Sequence, residues 1–407
     1  MNIVYVSSGC SEEKFEELRC SGVTKKLPQA QKYHQLMVEG LAKSIDGNVD
    51  VVCAIPTNRT WSKKWFFLAE HEKCGNICYH YIPFINVPFL GQISKFFSAK
   101  KLIKNICKHN SDVAIICDVL NQSIADAART TARKFRKPLL GIVTDVPGHT
   151  SGARRKSYNF IKRTLANFAE HRAEKKLNCY PAYLFLTNAM NDVVNHGQNP
   201  YIVIEGQCDH KLKEEPSVVK TVPHVAMYAG GIHKEFGIER MVKAFLKSNQ
   251  KDWELHIYGD GNYQSDLKKV AEQNPSVKYF GVVGNQEIKK RQLEASLLLN
   301  PRLTDADYVK YSFPSKTMEC MASGTPLLTT RLPGMPTEYY PYVYFFDDES
   351  EEGMSKAFCQ VFAKSSEELE KKGNSAKHFV LDEKNNIVQA QKVVKFIENL
   401  AHSGGST

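Results

Sequence analysis

Asn300–Pro336 reads NPRLTDADYVKYSFPSKTMECMASGTPLLTTRLPGMP. The apolar residues that lead into it, Leu297–Asn300, have the length of a buried strand. A polar loop follows as far as Ser315, where helical spacing begins. Gly324 stands where a helix C-terminus calls for a left-handed residue, and Thr325-Pro326 opens a further apolar run, Leu327–Thr330. Strand, loop, helix, turn and strand make a parallel α/β unit. Ligands of open α/β sheets settle beyond the carboxyl ends of strands, where helix N-termini offer free N–H groups to anions. Arg302 follows one strand end, and Ser315 and Lys316 open the helix. Two cations and a helix first turn thus converge on an expected phosphate cradle. Glu319, one turn on, can offer two acceptor oxygens to a sugar diol. Spacing alone leaves a plainer arrangement open, with Arg302 and Lys316 solvated and Glu319 paired locally.

The same alternation runs outward in both directions, which predicts parallel α/β architecture. Upstream, Asn2–Val6, Val49–Ile55, Val113–Cys117, Leu139–Thr144 and Tyr183–Thr187 are short β-branched or aromatic runs. Residues 31–44 between them carry Tyr33, Leu36, Met37, Gly40 and Leu41 on one helical face. A second series of strands is predicted from Tyr201–Ile204 through Val225–Ala229, Leu255–Tyr258, Val277–Phe280, Leu297–Asn300 and Leu327–Thr330 to Val343–Phe346. Gly237–Leu246 places Ile238, Met241, Val242 and Phe245 at helical spacing, with Glu239 and Lys243 as an i,i+4 pair. The expected organisation is two doubly wound domains, residues 1–200 and 201–385, with the junction in the polar stretch Asn188–Pro200 or just after the Glu205-Gly206 turn. A last helix and tail, 386–407, place Ile387, Ala390, Val394 and Ile397 on one stripe.

Composition bounds the rest. The 407 residues, 42% apolar and 24% charged, are globular in character, and no run approaches the roughly 20 apolar residues of a membrane span. The opening MNIVYVSSGCSEEK reads as a first strand and not as a signal peptide. The 54 basic against 44 acidic residues give +10, which suits anionic small molecules, anionic lipid or nucleic acid without choosing among them. Eleven scattered cysteines point to reduced thiols in a cytoplasm, since the Cys74/Cys78 pair lacks a second pair for zinc.

Glu319-Cys-Met-Ala-Ser-Gly-Thr-Pro326 resembles the E-A-M-A-C-G-T-P signature of GT-B glycosyltransferases, in particular the large retaining family conventionally numbered four. Tyr228-Ala-Gly-Gly-Ile-His-Lys-Glu-Phe-Gly-Ile238 resembles the glycine-rich strand, loop and helix that open that family's donor domain. Ile257-Tyr-Gly-Asp-Gly261 resembles its G-x-G turn, Tyr279-Phe-Gly-Val-Val283 its base-contacting strand and loop, and Ile204-Glu-Gly-Gln-Cys-Asp209 its domain-entry turn. These motifs cover the second half in the family's order, and the first half matches only in rhythm. The resemblance implies donor contacts from Gly230, Gly231, Gly259 and Val282, and a ribose contact from Glu319. It also implies departures. Tyr311 stands where the family's first glutamate holds the donor sugar. The glycine loop there is Ser312-Phe-Pro-Ser315, and Pro314 has no N–H to give. The family's arginine and lysine of the glycine-rich segment fall on Gly231 and Phe236. Arg302 and Lys316 are expected to replace them as phosphate cations, with His233 or Lys234 in support. The Phe-Pro-Ser-Lys variant resembles glycosyltransferases of capsule and exopolysaccharide assembly.

In the first domain, Leu139–Thr144 ends in Asp145-Val-Pro-Gly-His149, the correct strand end for a site. Asp145 and His149 are candidates to orient or deprotonate an acceptor hydroxyl, with Asp145 as a turn cap the alternative. Ser7-Ser-Gly9 is either a plain turn or an approach to the donor phosphates. Asp305-Ala-Asp307 has the D-x-D form of a metal motif, but the preferred reading is an exposed acidic loop and no metal. The basic stretch from Arg154 to Lys176 and the apolar Phe84–Phe97 suggest an anionic membrane surface. An ordinary core-facing helix is the alternative for the first. No aromatic-and-basic module accompanies the charge, so nucleic acid is not expected.

The resemblance thus implies a GT-B fold of two Rossmann-like domains facing a cleft, with the last helix crossing back to the first domain. It implies transfer of a hexose, with retention, from a nucleoside diphosphate sugar to a glycan or lipid-linked hydroxyl; UDP is favoured only as the commonest such carrier, since no residue selects the base. No other cofactor is expected, and the protein is expected to be cytoplasmic or peripheral at the membrane's inner face. A nucleotide-sugar epimerase or hydrolase would show activity without acceptor. A non-catalytic glycan- or protein-binding partner would show none.

Overall fold

The computed structural model describes residues 1–25, 28–146, 175–214 and 224–403. The chain divides into two compact units, Met1–Gln207 with Asn385–Thr407, and Cys208–Lys384.

The first unit is built on eight strands in the spatial order Tyr201–Val203, Tyr183–Phe185, Leu139–Val143, Val113–Asp118, Asn2–Ser7, Val49–Cys53, Ile77–Tyr81 and Glu70–Cys74. All neighbours are parallel except the last pair, a hairpin that turns at Gly75-Asn76. Every residue of Val113–Asp118 and Leu139–Val143 is buried, as a parallel sheet covered on both faces requires. The expectation that Tyr201–Ile204 opens the second domain is corrected here. Tyr201, Ile202 and Val203 pair with Tyr183, Leu184 and Phe185, so this strand is the edge of the first sheet. The helix Asn386–Ser403 packs on Pro28–Ser44. Asn386 Nδ2 donates to the Leu36 carbonyl at 3.1 Å, and a side chain at Gly40 would collide with the Asn386 carbonyl. Glycine at 40 is what lets the two helices meet. Beyond the sequence reading lie that hairpin, a short antiparallel pair, Phe66–Phe67 with Phe84–Ile85, and the 20-residue helix Leu90–His109, which buries Ala99, Ile103, Ile106 and Cys107.

The second unit has six parallel strands in the order Val277–Gly281, Glu254–Tyr258, Val225–Ala229, Leu297–Asn300, Leu327–Thr330 and Tyr344–Phe346. Numbered along the chain, this is 3-2-1-4-5-6, and the order reverses between Val225–Ala229 and Leu297–Asn300. The helix Ile238–Ser248 forms on its apolar stripe. It buries Ile238, Met241, Val242 and Phe245, each worth about 1.5–3 kcal/mol relative to exposure. Phe245 meets Phe358 and Phe362 of Glu351–Phe362 edge-on. Glu239 and Lys243 pair at 2.9 Å on the solvent side, and Asn249 at φ 50° ends the helix. Among the described residues, no helix is long and apolar enough to cross a membrane, and all eleven cysteines are free thiols.

Candidate functional site

In the second unit, three strand ends are tied together around glycines. The Gly230 N–H donates to the Tyr258 carbonyl at 2.9 Å, Ile232 to Asp260 at 2.7 Å, and Gly259 to Gly281 at 2.8 Å. Gly259 sits at φ 128°, and a Cβ there would run into the Gly230 carbonyl, so only glycine fits. The Tyr279 hydroxyl donates to the Gly259 carbonyl at 2.8 Å, and the Tyr228 hydroxyl to the Gly231 carbonyl at 2.9 Å. The turn Gly230-Gly231 therefore has a fixed course at the sheet's switch point.

Lys316, the second residue of Ser315–Ala322, reaches back to this turn. Its Nζ donates to the Ala229 carbonyl and lies 5.0 Å from the Tyr228 ring centre. A side chain at Gly230 would collide with that ammonium. Burial pushes the Lys316 pKa below the usual lysine value. Cys320 and Glu319 oppose that shift, and Arg302 reinforces it by repulsion. The Arg302 guanidinium lies 5.2 Å from the Tyr308 ring and 5.8 Å from that of Phe236. Its Nε and the Asn300 Nδ2 are buried donors with no partner among the described residues. A buried unpaired donor costs about 1–3 kcal/mol, and an anionic ligand's oxygens relieve that cost. Asn300 was not singled out in the sequence, although it ends the strand that opens the diagnostic stretch. Lys316 also holds the Cys320 thiol back against burial, which still pushes it up to about 12.

The remaining expected residues separate into groups. Ser315 is exposed at the helix start, behind Pro314 as cap. Glu319 is exposed one turn on, close enough to raise the Lys316 pKa. Val282 is 71% exposed beside Phe280, whose ring stacks on Tyr258 at 4.7 Å. Tyr311 is 6% exposed with the Lys310 ammonium 5.2 Å from its ring centre, which leaves little of it to meet a sugar. Lys234 is not a spare phosphate cation in this structure. It pairs with Asp266 at 3.0 Å and Glu239 at 3.6 Å, charges brought in by the two neighbouring helices. The His233 Nδ1 accepts from the Asn262 N–H at 3.4 Å. Asp305 and Asp307 are exposed, with Asp307 3.9 Å from Lys310. Among the described residues, no group of three or more His, Cys, Asp or Glu is placed to hold a metal ion.

In the first unit, Gly9 packs against His34, and its N–H donates to Ser7 Oγ at 2.9 Å. A buried polar cluster that the sequence did not reveal lies at this strand end. Tyr5 Oη is 2.8 Å from His34 Nδ1, His34 Nε2 is 3.6 Å from Asp118, and Asn121 donates to both Asp118 and Ser8. Ser8 and Asn121 line a cavity of about 970 Å³ at the carboxyl ends of Asn2–Ser7, Val49–Cys53 and Val113–Asp118, the first sheet's own switch point. Asp145 is half-buried just beyond Leu139–Val143. His149 and the basic stretch from Arg154 to Glu174 lie outside the described residues. Lys176, at its end, pairs with Asp126 on the cavity wall.

Two Rossmann-like units with a returning C-terminal helix define the GT-B fold, and solved structures agree over the whole chain. Sucrose-phosphate synthase from Thermosynechococcus elongatus matches with TM-score 0.62 at 12% identity, covering 99% of this chain and all of that one. The Anabaena protein HepE in complex with UDP matches at 0.58 and 12%, covering 98% and 100%. The UDP-forming trehalose-phosphate synthase from Burkholderia xenovorans matches at 0.62 and 10%, covering 98% and 99%. Residues 223–364, which lie within the second unit, match the family model described as glycosyl transferases group 1. The amylovoran biosynthesis glycosyltransferase AmsK of Erwinia amylovora is 31% identical over 106 residues. That match spans about a quarter of each protein, 25% of this chain and 26% of AmsK.

Proposed function

We propose that the protein is a retaining hexosyltransferase that takes its sugar from a nucleoside diphosphate, UDP favoured, and delivers it to a hydroxyl of a glycan or lipid-linked acceptor in polysaccharide or glycolipid assembly. The observation that carries this reading is the Lys316 ammonium seated against the Gly230 turn of a 3-2-1-4-5-6 sheet, with Arg302 near enough to repel it. The diphosphate lies against that turn and the first turn of Ser315–Ala322, and Glu319 takes the ribose. As the bond to the sugar breaks, charge grows on the leaving phosphate, and the two cations stabilise it. The leaving oxygen helps to take the acceptor proton on the same face of the sugar, so no nucleophilic carboxylate is needed. No metal is required, because side-chain cations supply the charge. Asp145 and His149 orient the acceptor. Support comes from the group 1 domain match, from a relative named for amylovoran biosynthesis, and from HepE structures solved with UDP and UDP-glucose. The work is done in the cytoplasm.

A thermal-shift panel of UDP, UDP-glucose and other nucleotide sugars tests this. At about 100 times the dissociation constant a ligand adds roughly 2.7 kcal/mol of stability. A rise with a nucleoside diphosphate supports the reading, and no rise with any nucleotide overturns it. Sugar release without acceptor at the full rate would point to a hydrolase instead.

A further inference from the structure

The first unit leaves large apolar side chains in water on two neighbouring segments. Phe66 is 66% exposed and Leu68 76% on one, and Phe89 84% and Phe97 62% on the other, with Trp65 and Ile93 beside them. The segments form one substructure. Phe66–Phe67 pairs with Phe84–Ile85, the Asn86 N–H donates to the Trp65 carbonyl at 2.7 Å, and Asn86 Nδ2 holds the Ser62 and Lys64 carbonyls. The helix Leu90–His109 packs on that ribbon, with the Ile85 N–H donating to Ser94 Oγ at 3.1 Å.

Phe89 is held outward by its backbone. It sits at φ 62°, ψ −55°, with the Leu90 N–H closing on the Pro88 carbonyl at 2.8 Å. That is a γ-turn with positive φ, a strained form that costs about 1–3 kcal/mol. A bulky aromatic residue has no packing return for such strain when it is left in water.

The segments themselves carry charge of one sign. Residues 51–69 and 73–111 contain no Asp or Glu. They contain Lys63, Lys64, Lys100, Lys101, Lys104 and Lys108, and none of these has an ion-pair partner among the described residues. Along Leu90–His109 the exposed apolar residues 90, 93 and 97 give way, at the same helical spacing, to lysines 101, 104 and 108. These three lysines line a second cavity of about 650 Å³ with His71 and His80. Unpaired cations beside an apolar patch of this size on a water-exposed surface match one chemistry, anionic head groups over acyl chains.

We propose that this face seats on a bilayer surface that carries anionic lipid. Phe89, Phe97 and their apolar neighbours enter the acyl boundary while the lysines meet the head groups. Phe89, Ile93 and Phe97 also wall the cavity at the strand ends, so the seated protein opens that cavity toward the membrane. This proposal is independent of donor chemistry.

The test is flotation of the full chain with vesicles of phosphatidylcholine, with or without phosphatidylglycerol. Binding to the mixed vesicles, weakened by added salt, is expected. Phe89→Ser with Phe97→Ser should lower partitioning at least about tenfold. Lys100→Gln, Lys101→Gln and Lys104→Gln together should lower it by about two orders of magnitude, at about fivefold per lysine. Near-ultraviolet circular dichroism checks the fold of each variant; Lys101 and Lys104 are exposed and Lys100 is half-buried, so none of the three belongs to the core. Absence of binding to the mixed vesicles, or variants that bind like the parent, overturns the proposal. So does self-association abolished by the same substitutions, which would make the face a contact between copies.

Discussion

Replacing Lys316 by methionine separates a structural lysine from a ligand-binding one. Methionine keeps the length and loses the charge. In the free protein the ammonium holds the Ala229 carbonyl, a charge-assisted bond worth about 1.5–3 kcal/mol. Against that stands the cost of withdrawing an ammonium from water, several kcal/mol per ion, which shows as the lowered Lys316 pKa. The two nearly offset, so stability should change by about 1 kcal/mol or less, a shift in Tm of about 2–4 °C. Binding should behave differently. A diphosphate loses a contact of about 1.5–3 kcal/mol, which at 1.4 kcal/mol per factor of ten weakens UDP by roughly 10- to 150-fold. Uridine, which has no phosphate, should bind within about twofold of the parent. Titration calorimetry with UDP and uridine, beside a melting curve, reads all three quantities. Equal losses for both ligands, or unchanged UDP affinity in a folded variant, would refute the assignment of Lys316 to the diphosphate.

Other outcomes follow from the same geometry. Arg302→Ala and Lys316→Ala should each lower turnover by about 10²–10³ and raise KM much less, because the contact strengthens as the bond breaks. Glu319→Gln should weaken nucleotide binding, and unchanged affinity for UDP would remove Glu319 from the site. Chelation by EDTA should leave transfer intact, and Asp305→Asn with Asp307→Asn should be mild. Recovery of a lost activity by manganese or magnesium alone would show that a metal is needed. Burial lowers the Lys316 pKa, so the folded chain loses that proton at lower pH than the unfolded chain and gains stability as pH rises through the window. UDP affinity should fall over the same rise, starting below pH 10.5, and the fall should be absent in Lys316→Met.

The sheet of the second unit was legible because parallel strands are buried on both faces and read as short unbroken apolar runs, as in Leu297–Asn300. Gly324, at φ 76°, ends its helix where the sequence placed a left-handed residue. The hairpin Glu70–Tyr81 was not legible because its outer strand, EHEKC, is polar and exposed at a sheet edge. Gly75-Asn76 between the strands was the available signal. The helix Leu90–His109 was hidden behind Pro88 and an apolar surface, although Ala99, Ile103, Ile106 and Cys107 carry a helical period. Tyr201–Val203 was given to the second unit because its pairing with Tyr183–Phe185 is a matter of register, which no local pattern records. The placement of Arg302 just past a strand end and of Lys316 at a helix start was readable from the apolar run and the helical spacing. The neutralisation of Lys234 by Asp266 and Glu239 depends on how two helices pack, and the cluster of Tyr5, His34 and Asp118 joins three distant segments.

The central claim is that the donor's diphosphate lies on the Gly230-Gly231 turn between Arg302 and Lys316. A crystal structure with UDP bound tests it most directly. The account predicts diphosphate oxygens within hydrogen-bond distance of Lys316 Nζ and the Arg302 guanidinium, with the ribose hydroxyls at the Glu319 carboxylate. A diphosphate more than a water bridge away from both cations, held by His233 and Lys234 instead, would contradict it.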